Sequence, residues 1–144
     1  IAAEIATMKV TEQIDALVTL STDPMKYLTL PRVLAATLAM PVLVGVGDVI
    51  GIFGGWLVGT ERLGFNPATY LQNTVDFLEA RDIVSSLAKG AVFGFIAALT
   101  GCYYGMTSGR GAMGVGAATK GAVVAAAVLI LAANFVLTEA FFSA

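Results

Sequence analysis

The chain has 144 residues, of which 58% are hydrophobic and only 12% charged, with a formal net charge of −2 and a mean hydropathy of +0.86. Soluble domains carry roughly 45 to 50% apolar and about 25% charged residues, so lipid rather than water is the expected surroundings. The few basic residues are scattered, which excludes a nucleic-acid footprint, and one cysteine with no histidine argues against disulfides, metal sites and catalytic triads.

The chain opens at Ile1 without an initiator methionine or a signal peptide's basic start, and is read as a piece whose earlier helices lie upstream. From Ile1 to Leu20, Ile1, Ile5, Met8, Ile14 and Leu17 recur at helical spacing among Glu4, Lys9, Glu12, Gln13 and Asp15. This predicts the end of a membrane helix running into an amphipathic one. Asp23-Pro24 marks a turn, so residues 1–32 form one unit and 33–144 a three-helix membrane unit. Pro31 supplies a helix start.

Three runs are long and apolar enough to cross a bilayer, which takes roughly 20 helical residues: Val33 to Gly59, Ile83 to Tyr103 and Val115 to Thr138. The fold class expected is an all-α membrane bundle. Between the first two spans, Asn66-Pro67 followed by TYLQNTVDFLEA predicts a short amphipathic helix on the membrane surface. Gly105 to Gly116 is a short Gly-rich connection. The basic-residue bias puts Lys9, Lys26, Arg32, Arg110 and Lys120 in the cytoplasm. It puts the Thr60 to Asp82 loop outside, where Glu61, Asp76, Glu79 and Asp82 offset Arg62 and Arg81.

Four groups of residues stand out. Gly47, Gly51, Gly55 and Gly59 recur every fourth residue in the first span, beside Gly45 and Gly54; small residues at that spacing let helices approach closely. Ordinary packing and a sliding or self-associating face are both open. Asp48, mid-span, must face protein or water, as a cavity residue or as a capped structural group. Lys89 and Asn134 each sit about four residues from the outer end of their spans, roughly 6 Å in depth, and are expected to meet. There they would touch a lipid headgroup or a partner's base, or form an interhelical hydrogen bond with a snorkelling lysine. GRGAMG, Gly109 to Gly114, matches a dinucleotide fingerprint literally, but a membrane helix precedes it and no acid follows until Glu139; it is read as a turn. No G-x-x-x-x-G-K-[ST] loop is present, so nucleotide hydrolysis would belong to another chain.

AEIATMKVTEQIDAL (Ala3 to Leu17), DPMKYLTLPRVLA (Asp23 to Ala35) and GAMGVGAAT (Gly111 to Thr119) occur in order, and together they closely resemble the MlaE, or YrbE, permease family. The resemblance covers essentially the whole chain. It implies a non-enzymatic permease subunit of a phospholipid-moving ABC transporter that maintains outer-membrane asymmetry from the bacterial inner membrane, with sterol or other hydrophobic cargo, or a non-transporting scaffold, as alternatives. The partners implied are a second permease copy, two ABC ATPase subunits carrying ATP and Mg, a hexameric ring of MCE-domain proteins and a STAS-domain protein bound to the ATPase. Residues matching the family's coupling helix are Glu4, Met8, Lys9, Thr11, Glu12, Gln13 and Asp15. The family has an interfacial helix and five spans, so this chain would hold the coupling region and the last three spans. Lys89 matches a basic position, and Asn134 stands where many relatives have aspartate.

Overall fold

The computed structural model describes residues 1–64, 66–78 and 80–142; Glu79, counted above among the loop charges, lies outside them. Among the described residues the chain is helical and without strands. Six helices follow in order: α1 (Ala2–Val10), α2 (Gln13–Thr19), α3 (Leu30–Glu61), α4 (Pro67–Phe77), α5 (Ala80–Met106) and α6 (Gly111–Phe142). A π-helical turn, Met25–Thr29, leads directly into α3. Three helices are long and apolar enough to cross a membrane.

The amphipathic stretch Ala3 to Leu17 is not one helix. Thr11 ends α1, and Glu12 stands at φ 64°, a left-handed conformation that costs a non-glycine residue about 1 kcal/mol or more. The break turns α2 away from α1. Asp23-Pro24 forms the expected turn, with Asp23 Oδ1 accepting from the Met25 amide at 3.0 Å, and Pro31 sits in the first turn of α3. Asn66 caps α4, its side chain accepting from the Ala68 and Thr69 amides at 3.0 and 3.4 Å, a standard start for a helix whose next residue is proline.

The spans exceed their apolar cores. At 1.5 Å per residue, 32 residues of α3 reach about 48 Å against a hydrocarbon thickness of about 30 Å. The overhang gives α4 something to pack on: Trp56 Nε1 donates to the Pro67 carbonyl at 3.3 Å. Three threonine hydroxyls inside the spans donate within their own helices, Thr37 to the Val33 carbonyl, Thr100 to Ile96 and Thr119 to Val115, which leaves no unpaired donor there for hydrocarbon to penalise.

Helix α5 is the centre of the bundle, packed against α3 on one side and α6 on the other, with α1 lying against one end of both α5 and α6. Its glycines make this possible. A Cβ on Gly94 would stand 2.5 Å from Met40 Cγ and 2.6 Å from the Ala36 carbonyl, and one on Gly90 2.9 Å from Val44 Cγ2. Further along α5, Gly101 receives Ile1, which precedes α1, and Gly105 receives Ile5 of α1 in the same way. Backbone approaches this close are the main source of helix association in lipid, where burial between helices gains nothing over burial in acyl chains. By contrast α3 and α6 leave most of their apolar surface uncovered within the chain, including Leu38, Val42, Val124 and Leu131.

The turn between α5 and α6 is tighter than a flexible connection. The helices absorb most of Gly105 to Gly116, Gly111 takes φ 74°, and a Cβ at Gly114 would overlap the Gly109 backbone. Gly114→Ala is therefore expected to destabilise the fold by about 1–3 kcal/mol. Gly116→Ala, where nothing lies within 4 Å, is expected to leave it unchanged. Thermal unfolding of the two full-length variants in detergent checks the contrast.

Candidate functional site

One end of the bundle gathers the residues expected to face a partner. Helix α1 is seated by Ala2, Ile5 and Ala6, all buried, and two polar contacts hold it from different sides. Glu4 Oε1 pairs with Arg32 Nη2 of α3 at 2.6 Å, while Lys9 Nζ donates to the Ser108 carbonyl in the α5–α6 turn at 2.9 Å. Met8 is half-buried. Thr11 braces the break, its hydroxyl donating to the Thr7 carbonyl at 2.9 Å and accepting from Gln13 Nε2 at 3.1 Å.

Beyond the break the environment changes. Helix α2 buries no residue, and Glu12, Gln13 and Asp15 are exposed. The seven residues grouped from sequence therefore divide. Glu4 and Lys9 have their charged atoms engaged inside the chain, whereas Glu12, Gln13 and Asp15 are presented outward on a short helix with a fixed root. Arg32 and Ser108, which complete the two contacts, were not singled out from sequence; nothing in their local pattern marks them.

The opposite half holds the intramembrane polar residues. Asp48 of α3 accepts a hydrogen bond from Ser86 Oγ of α5 at 2.6 Å. The pair stands in a cleft of about 630 Å³ between α3 and the start of α5, lined also by Gly45, Gly47, Gly51 and Asp82. A carboxylate beside a cleft and a hydroxyl fits the requirement that it face protein or water. An adjoining hollow of about 400 Å³ is lined by Val49, Ile52, Phe53, Trp56 and Leu71, so a polar recess and an apolar one share a wall of α3.

The hydrogen bond of Lys89 goes to a neighbour of Asn134 and not to Asn134 itself. Lys89 Nζ donates to Thr138 Oγ1 at 2.7 Å, one helical turn beyond Asn134, which is exposed on α6. Counted from the outer helix ends, Lys89 lies nine residues from Ala80 and Asn134 eight from Phe142, so the two share a depth and the lysine stem reaches one turn outward to Thr138, as a snorkelling side chain does.

The glycines of the first span behave differently from one another. Gly47 and Gly51 have nothing within 4 Å of a built Cβ, Gly55 faces the Tyr70 hydroxyl at 3.0 Å, and Gly59 is buried. Close helix packing within this chain falls instead to Gly90, Gly94, Gly101 and Gly105. These form two pairs spaced by four, Gly90 with Gly94 and Gly101 with Gly105, a sparser pattern than the run in α3.

The chain matches the family described as Permease MlaE over residues 1–140. It is 58% identical over 142 residues to a probable ABC transporter permease protein of Rickettsia conorii, covering 99% of this chain and 55% of the relative. It is 43% identical over 141 residues to a probable ABC transporter permease protein of Synechocystis, covering 98% and 54%. To the chloroplastic protein of Arabidopsis thaliana named trigalactosyldiacylglycerol 1 it is 40% identical over 141 residues, covering 98% and 40%. The chain thus spans about half the length of the curated relatives it matches.

Proposed function

The chain belongs to the MlaE permease family, and from that premise we propose that the full-length protein is the membrane subunit of an ABC transporter that carries phospholipid. With three apolar helices and that family, it is a multi-pass membrane protein and a transport subunit. In the bacterial inner membrane it would serve exchange with the outer membrane and so preserve lipid asymmetry there.

The observation that carries this reading is the presentation of α2. A helix with no buried residue, bearing Glu12, Gln13 and Asp15 and rooted on the ends of the spans through α1, is what a soluble motor subunit needs in order to push on a membrane domain. ATP and Mg would be held by two ATPase subunits, with a STAS-domain protein on the ATPase and a hexameric MCE ring on the far face. Two permease copies would enclose the lipid. Closure of the ATPase dimer would press α2 of each copy and narrow a cavity walled partly by α3 and α6. The Asp48 cleft, with its apolar neighbour, suits an amphiphile with one polar end, and the galactolipid name of one relative is in keeping with lipid cargo. Gly47 and Gly51, open within the chain, suit a surface that meets a second copy. No covalent chemistry is assigned to this chain.

The test is affinity purification of the full-length permease from its native membrane, with identification of co-purifying proteins and lipids. Recovery of an ATPase, an MCE-domain protein and bound phospholipid is expected. Recovery of the permease alone, in detergents that preserve such complexes, would overturn the reading, and a sterol in place of phospholipid would correct the cargo.

A further inference from the structure

Two of the residues matched to the coupling region, Glu4 and Lys9, have their charged atoms committed to contacts within the chain. Glu4 and Lys9 lie five positions apart on α1, about 140° around the helix, so they grip its surroundings from separate sides. Glu4 takes hold of Arg32, whose other nitrogen, Nη1, donates to the Leu28 carbonyl at 3.2 Å in the π-helical turn that opens α3. Lys9 takes hold of the Ser108 carbonyl at the hinge of α5 and α6. Between these arms Ile1 and Ile5 lie directly on the α5 backbone at Gly101 and Gly105, leaving α1 no slack. The joint to α2 is braced as well, through Thr11 to Thr7 and Gln13 to Thr11. An exposed ion pair adds little to stability, so the Glu4–Arg32 contact does more as a linkage than as a staple.

We propose that Glu4–Arg32 and Lys9–Ser108 form a two-armed transmission, the first arm passing a displacement of α2 into α3 and the second passing it into the α5–α6 turn. Glu4, Lys9 and Arg32 are then positioning residues rather than contacts of the ATPase. Ser108 fits this role: its hydroxyl is buried without a hydrogen-bond partner, and a junction that leaves a polar atom unsatisfied in one arrangement has a reason to adopt another. The inference rests on the permease reading above.

The experiment uses the full-length permease with its ATPase in proteoliposomes, reading the ATPase retained per permease and the lipid transferred per ATP hydrolysed. Glu4→Arg and Arg32→Glu are each expected to keep the ATPase while transfer per ATP falls at least about five-fold, the low end of coupling between sites. The double reversal Glu4→Arg with Arg32→Glu is expected to recover most of that loss, and Lys9→Met to lower transfer per ATP without releasing the ATPase. Where a charge reversal lowers the yield of folded complex, Glu4→Gln and Arg32→Gln serve in the same assay. Unchanged transfer per ATP, failure of the double reversal to recover it, or release of the ATPase by the single variants would each overturn the transmission. A wild-type complex without ATPase would instead overturn the transporter reading itself.

Discussion

Replacing Gly94 with leucine is expected to prevent α3 and α5 from packing and to abolish accumulation of folded permease. The cause is steric. A single added methyl at Gly94 already stands 2.5 Å from Met40 Cγ and 2.6 Å from the Ala36 carbonyl. Met40 can swing aside at modest cost, but Ala36 offers backbone, and backbone moves only if α3 moves. Gly94→Ala is therefore expected to cost about 1–3 kcal/mol, the usual range for overpacking a close contact, and leucine to exceed what the interface can absorb. No hydrophobic gain offsets this, because a leucine expelled from the interface enters lipid that is just as apolar. Gly47→Ala is the internal control, since a Cβ there meets nothing in this chain. Thermal unfolding of Gly94→Ala beside Gly47→Ala in detergent reads the difference, and equal stability of the two would contradict the packing described.

The second large effect is expected at Glu12 and Gln13. Changing both to alanine removes the polar groups at the exposed start of α2 while leaving Ala2, Ile5 and Ala6, which seat α1, untouched. ATP hydrolysis is expected to persist while lipid transfer per ATP falls roughly ten-fold, within the range of coupling between sites. Part of the change acts within the chain, because Glu12 holds φ 64°, which alanine tolerates no better, and because Gln13 Nε2 donates to Thr11 Oγ1, a contact that Thr11→Val removes without touching Gln13. Glu12→Gly with Gln13→Ala separates out the backbone contribution: it keeps the left-handed turn available and still removes both side chains. Normal transfer per ATP in an intact complex of either variant would remove these residues from the partner surface.

How much of this was legible in the sequence depends on the kind of signal. The three spans were placed within a few residues, Val33 to Gly59 against Leu30–Glu61, Ile83 to Tyr103 against Ala80–Met106, and Val115 to Thr138 against Gly111–Phe142, because unbroken apolar runs admit no structure but helix in lipid. The observed helices run longer because hydropathy fades before helical hydrogen bonding does. The α4 start was legible for a chemical reason, Asn66 before Pro67. The break at Glu12 was not, since Thr-Glu-Gln carries no glycine, proline or asparagine and its left-handed residue is imposed by where α1 and α2 must go.

Pairings between spans were the hardest to read. Asp48 announced itself as a costly charge, but Ser86, its partner, is an unremarkable small residue on another helix. Lys89 and Asn134 do lie at similar depth, nine and eight residues from the outer helix ends, but depth does not say where a long side chain aims, and Lys89 reaches outward to Thr138. The glycine runs show the same limit: spacing reveals that a helix has a small-residue face, and only the fold tells which face is covered within the chain, Gly90 and Gly94, and which stays open, Gly47 and Gly51. The partner surface, finally, was read as one group of seven residues, and the fold divides it into an anchored half and a presented half.

Whether α2 is the surface on which an ATPase acts is read by placing a photo-crosslinking amino acid at Gln13 of the full-length permease and illuminating intact membranes. A crosslink to the ATPase subunit is expected from Gln13 and none from Val46 or Val123, exposed on the mid-span surfaces of α3 and α6. An intact complex whose ATPase is never captured from Gln13, Glu12 or Asp15 would contradict that role of α2.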